Sequence, residues 1–172
     1  MSQSRRRPWL RAALGAGVSA VLPQASLAAP LQPGDAVDWP ALTLLEGSTV
    51  PPSAWQGSPA VVVFWATWCA YCRRHNAHID KLYRGLAGRP LRVLGVAVDS
   101  DATGVREYMR ANGFRFPVTL DAEPLRSRLT ARRSVPMTCT IDARGRLKQT
   151  IPGEMFEADV LELTERIDTR GS

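Results

Sequence analysis

Ala60-Val61-Val62-Val63-Phe64-Trp65-Ala66-Thr67-Trp68-Cys69-Ala70-Tyr71-Cys72 is the stretch on which the reading of this chain turns. Residues 60–65 form an unbroken β-branched and aromatic run, which argues a strand buried on both faces. After Trp68 the period changes. Cys72, Asn76, Ile79 and Tyr83 recur at spacings of three and four, so a helix begins here, and Gly85 and Gly88 supply its stop. Two cysteines therefore sit where a buried strand turns into a helix. Backbone N–H groups at a helix start are unpaired and lie at the positive end of its dipole. A sulfur held there is favoured as thiolate, the nucleophilic form of cysteine. Cys69, at the lip, is expected to attack a disulfide, and Cys72, one turn inside, to resolve the mixed disulfide that results.

Other uses of the pair fit less well. A structural disulfide is the default in an exported protein, but such bridges normally close longer loops. A zinc knuckle needs a second cysteine or histidine pair elsewhere. Covalent haem attachment needs histidine directly after the second cysteine, where Arg73 stands. One alternative of another class stays open: Cys69, Cys72 and His75 holding Cu(I) in a copper-binding module or metallochaperone. His78 extends the series, but steps of three rotate by about 60° around a helix, so the four side chains cannot converge on one ion. The expectation for His78 is a solvated surface residue. Apart from that alternative, no metal and no organic cofactor is assigned.

Outward from the motif, the chain alternates strands and helices and then changes pattern. Leu91–Val98 reads as a second buried strand, Val105, Tyr108 and Met109 as a helix stopping near Asn112-Gly113, and Phe116–Leu120 as a short strand. A helical segment over Pro124–Ala131 precedes a hairpin, Met137–Ile141 and Leu147–Ile151, around the turn Asp142-Ala143-Arg144-Gly145. Val160, Leu161, Leu163, Thr164 and Ile167 are one face of a final helix. The fold class is α/β, a mixed central sheet flanked by helices on both faces, over residues 41–168, with 169–172 a tail. Pro-rich residues 29–40 read as a linker.

The N-terminus is of a different kind. Arg5, Arg6, Arg7 and Arg11 precede or open a mild apolar run from Leu10 to Leu22, which leads to Ser26-Leu27-Ala28. Residues 1–28 thus read as a secretory signal peptide, too short in its apolar part to span a bilayer. Arg6-Arg7-Pro8-Trp9-Leu10-Arg11 resembles a twin-arginine signature, and an ordinary Sec signal rich in arginine is the other reading. Both routes lead out of the cytoplasm, to a soluble protein or to one anchored by a retained signal. The formal charge of the 172-residue chain is +6. Removing the leader's four arginines from 22 basic residues leaves 18 against 16 acidic ones, which gives no electrostatic case for nucleic acid.

Residues 64–72 resemble the active-site strand and turn of thioredoxin-fold proteins. Ser134-Val135-Pro136-Met137-Thr138, followed by Ile141-Asp142 and Gly145, resembles the loop carrying that family's cis-proline. The leader, the Trp55-Gln56-Gly57 lead-in and the extra strand and helix over 91–112 point to its TlpA/ResA-like branch. The resemblance covers residues 35–168. It implies a periplasmic thiol-disulfide oxidoreductase, most often a reductant, in several members serving cytochrome c maturation. Its partners would be protein disulfides or dithiols and a membrane electron donor. An oxidase or isomerase runs the same exchange in the other direction. The resemblance also implies a cis Val135–Pro136 bond that leaves the Val135 backbone free to pair with an extended substrate. Trp68, Tyr71, Val135 and Pro136 would then form the substrate groove, with Trp65 in the core and Trp68 half exposed.

The departures from that branch are specific. Val63 stands where thioredoxins bury an aspartate, His75 where relatives often carry glutamate, Ala77 and Tyr71 where prolines are common. The carboxylate that assists proton transfer is thus missing from both expected places. His75 becomes a candidate for tuning the thiol pKa: protonated, it stabilises a thiolate; neutral, it accepts or relays the proton leaving Cys72. The alternative is that it points to water. Cys139 leaves an odd cysteine, read as a small buried hydrophobe on the same strand face as Ile141 rather than a third redox thiol.

Overall fold

The computed structural model describes residues 31–168, so the leader expected over 1–28 and the tail 169–172 lie outside the described residues. In chain order, a small hairpin of β1 (Leu42–Thr43) and β2 (Thr49–Val50) precedes a 3-10 turn, Pro52–Trp55. Next come β3 (Ala60–Trp65), α1 (Ala70–Arg84), β4 (Arg92–Ala97), α2 (Ala102–Asn112) and β5 (Val118–Thr119). The chain continues through α3 (Ala122–Leu129), β6 (Met137–Ile141), β7 (Leu147–Pro152), α4 (Glu157–Leu161) and α5 (Leu163–Asp168).

Every residue of β3 is buried because the strand occupies the middle of a five-stranded sheet of order β5-β4-β3-β6-β7. It runs parallel to β4 and antiparallel to β6, which makes the sheet mixed. Both faces are covered, and that explains a continuous apolar run in place of alternation. Val61, Val63 and Trp65 face Ile79 and Leu82 of α1, Val105 and Met109 of α2, and Val160, Leu163 and Ile167 of α4 and α5. Ala60, Val62 and Phe64 face Leu125 and Leu129 of α3 together with Trp39, Leu42 and Trp55. Close packing admits only glycine at Gly95 of β4: a Cβ there would lie 2.6 Å from the Phe116 ring and 2.9 Å from Trp65 Nε1. Helix α2 starts at Asp101, whose carboxylate accepts from the N–H groups of Thr103 and Gly104, and stops at Gly113 with φ 68°.

Three features differ from the sequence reading. Residues 31–40, expected as a linker, lie against the domain: Leu31 N–H donates to Arg128 O, Gly34 N–H to Leu147 O and Val37 N–H to Gly145 O. Their anchor is Trp39, buried and stacked on Trp55 with ring centroids 4.4 Å apart, an aromatic contact that Pro-rich composition hides. The final helix is two short helices. Thr164 Oγ1 donates to Leu161 O, and Glu165 N–H reaches only three residues back to Glu162 O, so the regular ladder is interrupted between them. On α1 the inner face is broader than the expected stripe, with His75, Asp80 and Leu82 buried beside Cys72, Asn76 and Ile79. No described helix is long and apolar enough to cross a membrane.

Candidate active site

Cys69 is the N-cap of α1, in extended conformation, and its sulfur accepts the backbone N–H of Cys72 at 3.1 Å. The two cysteines form a disulfide with their Cα atoms 5.2 Å apart. Cys69 is 9% exposed and Cys72 fully buried, so an incoming group meets Cys69 first. The turn ahead of them is tied to the neighbouring strand's end. Thr67 donates its hydroxyl to Asp99 Oδ1 at 2.6 Å and its N–H to Oδ2 at 3.1 Å. Asp99 follows β4, and no sequence spacing connects it to Thr67.

The second wall of the site is the loop entering β6. The Val135–Pro136 peptide bond is cis, and the Val135 carbonyl oxygen lies 3.8 Å from Cys69 Sγ. Pro136 O accepts the N–H of Gly153 at 2.9 Å. Upstream, the buried Arg126 guanidinium stacks 4.8 Å over the Phe64 ring and donates to Arg132 O at 2.7 Å. Burial pulls its pKa below the ordinary arginine value, with Glu123 opposing. Arg126 thereby braces the backbone before the cis bond. Its place in a helix with weak periodicity gave no sequence signal.

Aromatic side chains form the rim. Trp65 is fully buried, as expected, while Trp68 at 73% and Tyr71 at 62% stand more exposed than half-buried groove residues. Tyr71 has a lateral support: Arg74 lies 5.1 Å over its ring and makes a two-pronged contact with Glu154, at 2.8 and 2.6 Å.

His75 does not point to water; it is fully buried. Its Nδ1 accepts the Met155 backbone N–H at 3.2 Å, and its Nε2 lies 3.0 Å from Thr138 Oγ1. A peptide N–H only donates, so Nδ1 carries no proton and the neutral ring holds its hydrogen on Nε2, directed at Thr138. Burial pulls its pKa down to about 4, and the protonated form invoked from the sequence is therefore not the working one near neutral pH. His78, expected on the solvated surface, is half-buried and donates Nδ1–H to Met155 O at 3.2 Å. The two histidines hold Met155 by its backbone N–H and its backbone C=O.

With both ring nitrogens of His75 engaged, the Cu(I) set Cys69–Cys72–His75 is not assembled. Among the described residues no three histidine, cysteine, aspartate or glutamate side chains gather around a metal position. Cys139 is buried beside Ile141 on the opposite face of the sheet from Cys72, and burial pushes its thiol up to about 12.

The chain is similar to known proteins. Residues 33–150 match the AhpC/TSA family. The thiol-disulfide oxidoreductase ResA of Geobacillus thermodenitrificans is 27% identical over 126 residues, covering 73% of this chain and 72% of that protein. ResA of Bacillus subtilis is 26% identical over 130 residues, with 73% and 72% covered. Among solved structures, a thiol:disulfide interchange protein of the thioredoxin family from Chlorobium tepidum superposes with a TM-score of 0.69 at 24% identity. That match covers 81% of this chain and 99% of the other. A family match over more than half the residues, on a thioredoxin-like sheet with a Cys-x-x-Cys pair at its helix start, places the chain: it belongs to the AhpC/TSA family and is a ResA/TlpA-like thiol-disulfide oxidoreductase of the thioredoxin superfamily.

Proposed function

We propose that this protein works outside the cytoplasm as a reductant of protein disulfides, in the service of cytochrome c maturation. The observation that carries the reading is the asymmetry of the pair. Cys69 lies at the lip, 3.8 Å from the Val135 carbonyl, and Cys72 lies wholly beneath it. In the reduced protein the Cys69 thiolate attacks one sulfur of a substrate disulfide, and that S–S bond breaks with its other sulfur leaving as thiolate. Cys72 gives up its proton and attacks Cys69 Sγ. The mixed disulfide breaks, the substrate's second sulfur departs, and the substrate has gained the two electrons the dithiol lost. A membrane protein carrying a dithiol returns them by the same exchange in reverse.

Trp68, Tyr71, Val135 and Pro136 line the groove for an extended substrate, whose backbone pairs with Val135. His75 tunes the sulfurs as a neutral ring, at a position where the resemblance implies a carboxylate. The leader of residues 1–28 supports export. Direction rests on potential, since values in this fold spread over roughly 150 mV with small changes near the sulfurs.

The test is reduction of insulin disulfides. Cys69→Ser is expected to abolish it, and Cys72→Ser to accumulate a mixed disulfide with substrate. A variant lacking Cys69 that still reduces insulin would refute the assignment. Equilibration with glutathione separates the directions, because a potential near those of strong disulfide donors would make the protein an oxidase instead.

A further inference from the structure

Asn76 is fully buried in α1, and neither its Nδ2 nor its Oδ1 has a hydrogen-bond partner. An amide shut away in this state is unfavourable, and groups of this kind ask for an explanation. Its position supplies one. Asn76 follows Cys72 by four residues, so the two side chains lie one above the other on the same helix face. Helical side chains lean toward the N-terminus, which lays the amide over the turn that carries Cys72. Cys72 is fully buried too, so no solvent reaches that sulfur. The other polar groups nearby have partners, Trp65 Nε1 excepted. Cys72 N–H is bonded to Cys69 Sγ, and His75 to Met155 and Thr138. Trp65 Nε1, also unpartnered, is directed at Gly95 on β4.

We propose that Asn76 is a redox-dependent partner of Cys72: its amide, unpartnered one helical turn from the disulfide, hydrogen-bonds the Cys72 sulfur once the disulfide is reduced. A disulfide sulfur is a poor acceptor. A thiolate accepts strongly from Nδ2–H, and a thiol can donate to Oδ1, so an amide serves either protonation state. The inference rests on Cys69 and Cys72 being the working pair. Its consequence is a bias toward the dithiol, through a positioning residue that touches no substrate.

The experiment equilibrates the whole protein with glutathione. Two glutathione thiols supply two electrons and two protons, the Cys69–Cys72 bond breaks, and the thiols leave joined as glutathione disulfide. Asn76→Leu, which keeps the branched shape with methyl groups in place of the amide and is a better helix former, is expected to lower the equilibrium constant for reduction roughly tenfold, the worth of one good hydrogen bond. That factor corresponds to about 30 mV for a two-electron couple. Urea unfolding should show the variant's oxidised form stabilised relative to wild type and its reduced form not. Asn76→Ala, measured in parallel, is expected to shift the equilibrium in the same direction. A purely structural amide would change both redox forms alike and leave the equilibrium in place. A constant within twofold of wild type for both variants overturns the proposal. Exchange with glutathione that persists in Cys69→Ser would point instead to failure of the underlying assignment.

Discussion

Met155 donates its backbone N–H to Nδ1 of His75 at 3.2 Å, and that one bond sets the state of a buried imidazole. With Nδ1 occupied as an acceptor, protonating the ring would place two donors face to face inside the core. Burial is the largest cause of the low pKa, with His78 adding to it and Glu154 opposing, and the value lies at about 4 against an ordinary 6.5.

A pH dependence of stability follows. Above about 6.5 the ring is neutral in folded and unfolded chains alike, and its contribution is fully present. As pH falls from 6.5 toward 4 the unfolded chain binds the proton first, so stability declines, and below about 4 the contribution is gone. The whole effect is at most about 3 kcal/mol. Urea unfolding at pH 7, 5.5 and 4 is expected to show a fall that His75→Gln largely lacks; parallel curves for the two proteins would contradict it.

His75→Glu installs the carboxylate that the resemblance implies at this position. A carboxylate near the sulfurs disfavours a second negative charge, so the thiol pKa is expected to rise and the disulfide to become less oxidising. Thiolate absorbance of the reduced proteins, titrated from acid to alkaline pH, reads this directly. An unchanged or lowered pKa would show that position 75 does not tune the pair.

Asp99→Ala removes both acceptors of Thr67, at the turn that presents Cys69. The expected cost is about 1–2 kcal/mol of stability, with slower insulin reduction because the sulfur is held less firmly. Asp99→Asn, which keeps one acceptor oxygen, should recover part of the loss. Full activity and stability in Asp99→Ala would remove this strut from the account.

Cys139, buried and with its thiol pushed up to about 12, has almost no thiolate at neutral pH. Iodoacetamide applied to the reduced native protein is expected to label Cys69 and spare Cys139 until denaturant is added. Cys139→Ala should keep insulin reduction intact at a cost of about 1 kcal/mol. Loss of activity in that variant would reopen a redox role.

Replacing Arg6-Arg7 with two lysines is expected to stop export by a twin-arginine route and to leave Sec export largely intact. Fractionation of cells expressing the variant distinguishes them, and efficient export of the variant removes the twin-arginine reading.

Strand β3, the helix start at Cys69 and the succession of strands and helices from β3 to β7 along the chain were legible in the residues themselves. Apolar period, cap residues and turn glycines act over a few positions, so a local reading recovers them. The resemblance carried the cis bond at Pro136. What no local pattern contains is which distant group meets which. His75 finds Thr138 at a separation of 63 residues and Met155 at 80, and Thr67 finds Asp99 at 32. From the sequence His75 was equally a solvent-facing residue, because a polar side chain on a broad helix face is buried only if a strand and a loop arrive with partners for it. The same holds for Trp39, which turns an apparent linker into part of the fold. Residue order alone thus picked out the Cys69–Cys72 pair and its placement on a strand–helix turn. The packing of β6, β7 and the loop before α4 against α1 decided what surrounds that pair, since hydrogen-bond partners and burial depend on distances in space rather than along the chain.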